Sequence, residues 1–502
     1  MYFLILPNQL YDFKYIKSVI HSKNNNLNES KIDILIWEHP HYFKDYNFNK
    51  KKLLLHRASM KYYYDYIRDK LIDDKKSEEN INISSVAYLD FNKKLQKKVL
   101  TDMKKNSYIM FDPINKDDVL KIPLYNTDKC IVFESPNFLL SLTDMEAYRN
   151  KTKSFFFNPF YMWSKKRLDI IPSIKSKDKD NRKKLPKGLK IPELPTNISS
   201  GGKSKSKSKS KSKIHTTKYY INSATRYVNK HFPNNYGTLD NNDNKNNNIN
   251  NNNEFIFPID HKGAHKWLKD FIKKRFSKFG DYQDFIDKDT SYLFHSVLSS
   301  SINIGLLNPT EIVNIILEDS VRKQIPINSY EGYIRQLFWR EYQRYCYIYF
   351  DFNNKNYFGN TKKLSNAWYG IDGKKLGIDP VDDCIQKAFQ TGYLNHIERL
   401  MVVGNFMNLS GISPKEGFKW FMEFSCDSYE WVMYQNVLDM VFCVSGGKTM
   451  RRPYISSSNY VLKMSNYKKG EWSVKWSELY NAFLKKNRDK LWKFRYYFRG
   501  LK

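Results

Sequence analysis

The chain is poor in cysteine, and what it has is badly placed for chemistry that needs paired thiols. Its five Cys stand at 130, 346, 384, 426 and 443, an odd number with no CxxC. That excludes a disulfide framework and a close-spaced thiolate metal site, and it suits a reducing, intracellular compartment such as cytoplasm or nucleus. No apolar run approaches the ~20 residues a membrane span needs, so no membrane partner is expected. The N-terminus, MYFLILPNQLYDFKY, has no basic region ahead of its short apolar run. It reads as a first strand rather than a signal peptide. No GxGxxG marks a dinucleotide turn in the strand-rich region that follows. Acidic residues are also scarce: 52 Asp and Glu stand against 84 Lys and Arg, a formal charge of +32. Such a surface calls for an anionic partner, with nucleic acid the leading candidate. A codon bias toward Lys and Asn would give the same composition without any partner.

What the chain does have is apolar and aromatic residues, 41% and 16% of its 502 positions. That is enough for two or three domains with a core. Aromatics at this level serve packing, and also stacking on flat ligands and electron transfer. Over residues 1–155 the short apolar runs YFLIL, IDILIW, SVAYLDF, YIMFDP and CIVFES flank a helical pattern, KKKLLLHRASMKYYYDYIRDKL. The alternation predicts a parallel α/β sheet. Residues 173–214 are rich in Lys, Ser, Pro and Gly and carry an SK repeat; residues 241–254 are mostly Asn. Neither tract can bury enough apolar surface to offset chain entropy, so both are expected to be disordered within a connector over 156–254. Between them TTKYYINSATRYVNKHFPNNYGTLD carries aromatic anchors and reads as ordered. Residues 173–254 hold 18 Lys and Arg against 6 Asp and Glu, so most of the excess positive charge lies elsewhere. From 255 to 502 a 3.6-residue apolar period predicts an all-helical domain, with Asn308-Pro309 and Ser413-Pro414 opening helices. One long helical pattern runs from Asp382 to Ser410.

Several features of that half are unusual together. DTSYLFHSVLSSSINIGLLNPTE is a hydroxyl-rich turn of the kind that suits phosphate oxygens, although Ser runs more often cap helices. IRQLFWREYQRY puts Gln336, Trp339 and Arg340 on neighbouring faces of one helix. In GYLNHIERLMVVGNF, His396 and Arg399 are three apart and share a face. A buried Arg needs a carboxylate, and Asp427 of FSCDSYEWVM is a candidate.

With EGYIRQLFWREY, DSYEWVMYQNVLDM and GGKTMRRPYISSSNYVLKMSNY, these blocks resemble the photolyase/cryptochrome superfamily. The similarity is greatest to its branch of bacterial (6-4) photolyases and iron–sulfur cryptochromes. The resemblance covers residues 1–155 and 215–490. It implies a Rossmann-like antenna domain, an all-helical FAD-binding domain, and light-driven electron transfer from FAD to a UV-induced pyrimidine photoproduct, most closely the (6-4) product, flipped out of DNA. Residue by residue, it implies that Tyr282, Ser296, Leu298 and Ser299 hold the flavin diphosphate. Arg399 and Asp427 would pair beside the isoalloxazine, with Met433 facing flavin N5. His396 would be the proton donor to the lesion, with Asn395 in the place of the first His of a His pair. Tyr454 and Tyr460 would lie near the lesion or flavin. Gln336 and Trp339, with Arg340 beside them, would contact flipped bases, and Trp420 would be a link in an aromatic electron chain. The branch's cluster cysteines match Pro380, Lys468, Glu471 and Leu484, so no iron–sulfur cluster and no metal is expected. The N-terminal domain is expected to offer room for an antenna chromophore, a lumazine or similar pigment, with Asn8 where the family's turn carries Asp. UV-damaged DNA is the implied partner, met by a monomer. Two other functions stay open: a cryptochrome-like blue-light photoreceptor that binds FAD without repair, and a nucleic-acid-binding protein without flavin.

Overall fold

The computed structural model describes residues 1–21, 31–74, 82–90, 96–97, 101–102, 107–115, 122, 125, 127–195, 214–239 and 255–498. The SK repeat and the Asn tract at 241–254 lie outside the described residues. The chain forms two compact units. Residues 1–139, 194–268 and 298–312 make one; residues 140–193, 269–297 and 313–502 make the other.

The first unit is built on the five expected strands: β1 (Tyr2–Ile5), β2 (Ile32–Trp37), β3 (Ile83–Leu89), β4 (Tyr108–Phe111) and β5 (Cys130–Phe133). They pair in parallel in the order β3-β2-β1-β4-β5. The burial pattern explains the composition. Strands β2, β1 and β4 are central and almost wholly buried, so they read as continuous apolar runs; the edge strands β3 and β5 alternate. Strand order reverses at β1, which places a crevice at the carboxyl ends of β1 and β4. The turn after β1 spans it: the Gln9 amide donates to the Phe111 carbonyl at 2.8 Å, and the Asn8 amide to the Pro113 carbonyl at 3.3 Å. The ordered segment between the two tracts forms the helix Thr217–His231, which lies along the helix Lys50–Asp74. Tyr220 donates to Asp65 at 2.5 Å, and the rings of Tyr62 and Tyr220 are 5.5 Å apart.

The second unit is helical around Ile327–Tyr349. Four expectations about the domains need correction. The expected boundary at 155 lies too late, because Tyr148 of the helix Leu142–Lys151 packs on Phe160 and Tyr345 at 5.2 and 5.4 Å. The start of the expected connector is the helix Phe157–Arg167, whose Phe160 and Tyr161 meet Tyr342 and Phe338 at 5.4 and 5.5 Å. Residues 173–195 are likewise packed: Leu185, Leu189 and Ile191 lie against Tyr282, Phe285, Leu293 and Phe294. Three aliphatic side chains anchor a segment whose average composition reads as disordered. Conversely, residues 298–312 belong with the α/β unit, where the Leu10 amide donates to the Ile304 carbonyl at 2.9 Å.

The run from Asp382 to Ser410 is not one helix. The helix Asp379–Thr391 stops at Gly392, whose φ of 70° is left-handed and whose N–H caps Ala388. The chain then turns and a new helix begins at His396, widening into π turns over Glu398–Gly404. A second π segment covers Tyr434–Val441. Such turns cost hydrogen-bond geometry and concentrate at functional sites. The two meet at Gly404: a Cβ there would lie 2.7 Å from Val441 Cγ1 and 2.8 Å from the Arg399 carbonyl oxygen. Gly404→Ala is therefore expected to lower stability by about 1–3 kcal/mol. Denaturant unfolding checks this; an unchanged midpoint would mean that the crossing is not tight.

Candidate active site

The polar groups of the 392–406 stretch fall into three separate arrangements. Asn395 closes the helix start. Its side-chain oxygen accepts from the Glu398 amide at 3.0 Å, and the Glu398 carboxylate accepts from the Asn395 amide at 3.0 Å, a reciprocal capping box. The Asn395 amide group donates to the Ser291 carbonyl at 3.3 Å. Asn395 is buried and acts as a helix cap in this structure, a role distinct from its expected catalytic one. Glu398 is itself wholly buried and holds Lys387 at 3.0 Å.

Arg399 is the second arrangement. Its Nη1 and Nη2 donate to the two Asp427 oxygens at 2.9 and 3.1 Å, and Nε donates to the Leu394 carbonyl at 2.7 Å. Ser425 donates to Asp427 from behind. The guanidinium lies 5.3 Å from the Phe424 ring and 5.7 Å from the Tyr393 ring. A guanidinium has five N–H hydrogens; these bonds use three, leaving two for a ligand.

His396 is the third. His396 is exposed, yet enough protein surrounds it for desolvation to dominate. Desolvation, then Arg399 and Arg335, push the imidazole down to about 4. His295 feels His396 and Arg275 and is likewise lowered to about 4, chiefly by desolvation; its Nε2 is buried without a protein partner. At neutral pH both rings are neutral, among arginines.

On the helix Ile327–Tyr349, Trp339 stacks face to face on Phe157 with ring centres 3.7 Å apart at 11°, and Phe157 stacks on Tyr161 at 5.6 Å. Arg335 lies 5.0 Å from Phe157 and 5.9 Å from Trp339. Trp339 and Gln336 are half-buried. Arg340 does not share that setting. It is buried, with its guanidinium 4.9 Å from the Trp431 ring, which corrects its expected place at an open binding face. The loop bearing Tyr454 is pinned at both ends. Asp439 of the second π segment accepts from the Ser445 amide at 2.9 Å and from Thr449; Asn405 donates to Ser456 Oγ at 2.9 Å. Burial, then Asp284, raises the Tyr460 hydroxyl, and Tyr454 adds to the effect.

The other expected residues divide. Ser296 hydrogen-bonds with Tyr333 in the helical unit. Tyr282 packs in the apolar cluster with Phe294 at 5.4 Å. Met433 is buried where the helix Glu430–Met433 passes into the second π segment. Trp420 is buried, donates to the Trp368 carbonyl at 2.7 Å, and lies 4.7 Å from Phe424 and 5.8 Å from Phe389. Phe389 is 5.7 Å from Tyr369. Leu298 and Ser299 belong to the α/β unit, where Ser299 opens the short helix Ser299–Asn303. Three side chains here carry no expectation from sequence: His295, Arg335 and Phe157. Arg335 shares a helix face with Trp339 at i, i+4, and His295 lies inside the hydroxyl-rich block, so both had a local signal. Phe157 had none, because its partner is 182 positions away.

A family model described as deoxyribodipyrimidine photo-lyase-related protein matches residues 3–243. A (6-4) photolyase from Agrobacterium fabrum is 34% identical over 289 residues, 55% of this chain. The chain spans about half, 53%, of that curated relative's length. Among solved structures, a bacterial class III photolyase from Agrobacterium tumefaciens superposes with a TM-score of 0.52 at 12% identity, covering 97% of both chains. Residues 3–243 are similar to the photolyase-related family, and the chain has the fold of a photolyase. The cryptochrome of Synechocystis sp. PCC6803 has the same fold as this chain, with a TM-score of 0.54 at 12% identity over 98% of this chain and 88% of that one. Its five cysteines are unpaired and buried, and among the described residues no group of three His, Cys, Asp or Glu is arranged to hold a metal. No helix among them is long and apolar enough to cross a membrane.

Two outcomes follow. Asn395→Ala should cost about 0.5–2 kcal/mol of stability, the worth of an N-cap, while leaving any light-driven activity intact; a collapse of activity in a folded, flavin-loaded variant would contradict the capping role. Because His295 and His396 bind protons more weakly folded than unfolded, the unfolded chain takes up more protons between about 4 and the ordinary His value near 6.5. Stability should therefore fall as pH drops through that window, and the His295→Asn/His396→Asn variant should flatten the slope of unfolding free energy against pH. An equal slope in both proteins would contradict the neutral-pair assignment.

Proposed function

We propose that the chain is a light-dependent DNA photolyase: it binds FAD in its helical unit and repairs UV-induced pyrimidine photoproducts, with the (6-4) product as lesion. The observation that carries this reading is Arg399, held by Asp427 with two N–H hydrogens to spare, near His396, on which Arg399 and Arg335 both act. Bound FAD supplies the light-excited electron donor. The chain's own residues do the rest. Arg399 would hold the polar edge of a flavin ring, Asp427 keeps that guanidinium in place, and Met433 would line the ring. Ser296 and the free Nε2 of His295 suit phosphate oxygens. Tyr282 backs the site from its apolar cluster.

Trp339, stiffened by Phe157 behind it, offers a flat face to an extruded base, and stacking of this kind is worth about 1–3 kcal/mol per base. Gln336, one turn away, reaches base edges, with Tyr454 and Tyr460 near the lesion. His396 is the proton donor at its ring nitrogen. At rest desolvation, then Arg399 and Arg335, hold it neutral; an anionic ligand beside it offsets those charges and raises its proton affinity. Trp420, between Phe424 and Phe389, starts an aromatic path toward Tyr369 along which an electron can move. In the α/β unit the Asn8–Gln9 turn at the strand-order switch is our candidate for an antenna pigment such as a lumazine, since Asn8 Oδ1 is buried without a partner. No iron–sulfur cluster is proposed, because the four positions that match its ligands carry no thiol.

The test uses oligonucleotides bearing one defined photoproduct, incubated with the protein in blue light and in darkness. Normal bases should return only in light, and His396→Ala should slow the return by about 10²–10⁴-fold without loss of flavin. Flavin and damaged-DNA binding without repair would replace this reading with a photoreceptor. DNA binding by a colourless protein would leave only a nucleic-acid-binding function.

A further inference from the structure

At the end of the helical unit the short helix Arg488–Leu491 passes into a tight turn, Trp492–Tyr497. Its anchors point inward: Leu491, Phe494 and Phe498 are 0%, 6% and 2% exposed. Its other aromatics point out: Trp492, Tyr496 and Tyr497 are 50%, 79% and 49% exposed. The inward residues suffice to hold the turn, so packing does not account for three large exposed rings within six positions. A cation packs on two of the rings. The Arg495 guanidinium lies 5.1 Å from Trp492 and 4.7 Å from Tyr496, and its Nη1 donates to the Trp492 carbonyl at 3.2 Å. Lys493 donates to the Gly446 carbonyl at 2.5 Å, and Tyr357 donates to the Lys490 carbonyl at 2.7 Å.

The surroundings are of one sign. Residues 485–498 carry six Lys and Arg against a single Asp. Exposed rings amid positive charge suit a strand with flat bases and an anionic backbone, and within 485–498 Asp489 is the one acidic residue. The strip is also continuous with the proposed lesion site. The Arg452 guanidinium lies 5.6 Å from the Tyr454 ring and 5.3 Å from the Tyr497 ring, so one cation links them.

We propose that Trp492, Tyr496 and Tyr497 form a stacking platform for unpaired nucleotides beside the flipped lesion. Extruding a lesion leaves neighbouring bases without stacking partners, and a second aromatic surface next to Tyr454 offsets that loss. The proposal rests on the DNA-repair reading above and adds a second contact to it.

The test measures binding of the full chain to a fluorescently labelled, UV-irradiated duplex over a series of salt concentrations. The Trp492→Ala/Tyr496→Ala/Tyr497→Ala variant should bind about tenfold or more weakly at every salt concentration. The slope of log affinity against log salt should stay the same, because no phosphate contact has been removed. Tyr496→Ala alone, at the most exposed position, should lose part of that affinity with unfolding unchanged, which separates binding from folding. Parental affinity in both variants would overturn the platform and leave the repair reading standing. Failure of the parent chain itself to bind the damaged duplex would overturn both.

Discussion

The helical unit depends on keeping one guanidinium charged inside it. Arg399 is mostly buried, and its partner Asp427 is 7% exposed. Removing one member of such a pair costs about 3–5 kcal/mol because the other is left charged without compensation. Much of the local architecture serves to prevent that. The break at Gly392 lets the chain turn, so the Leu394 carbonyl can accept from Arg399 Nε. Ser425 fixes the Asp427 carboxylate. Gly404 admits Val441, so the two π segments can cross next to the pair. One turn away Lys387 and Glu398 repeat the solution with a lysine. Fully paired charges of this kind make a poor source of stability and a precise means of holding donors toward a ligand.

The same charges set the chemistry around them. Desolvation first, and then the charges of Arg399, Arg335 and Arg275, make the region of His295 and His396 hostile to a further proton. An anion bound there would offset the charge of those arginines. The neutral imidazoles are therefore a property of the ligand-free protein and poise it to take up a proton on binding. Rigid aromatics border the region: Trp339 on Phe157, Phe424 under Arg399, and Trp420 behind it. Their ring-to-ring spacing suits stacking and electron movement, and their burial keeps water from the charged pair.

Much of the fold was legible in the sequence because its signals are local. The five strands and the parallel sheet follow from short apolar runs, and the helices from their period. The Arg399–Asp427 pair was legible because a buried Arg demands a carboxylate, whatever the fold. What misled is equally physical. Leu185, Leu189 and Ile191 are three residues among many lysines, too few to move an average yet enough to anchor a segment. A single Gly392 in left-handed conformation divides a pattern that otherwise reads as one helix. Asn395 stood beside His396 in sequence and looked like its partner, but a residue just before a helix has its own backbone to cap. Arg340 carried a charge on an amphipathic helix, and only tertiary contact shows that it faces Trp431. Phe157 reaches Trp339 from a distant segment, which no single-sequence period records.

The central claim is that the buried Arg399 exists to hold a flavin. The absorption spectrum of the purified chain tests it most directly, compared with that of Asp427→Ala prepared in the same way. The account predicts that the parent protein is yellow, with stoichiometric flavin released on denaturation, and that the variant, still folded by circular dichroism, is colourless. A parent protein that never takes up flavin, or a folded variant that keeps its full complement, would contradict it.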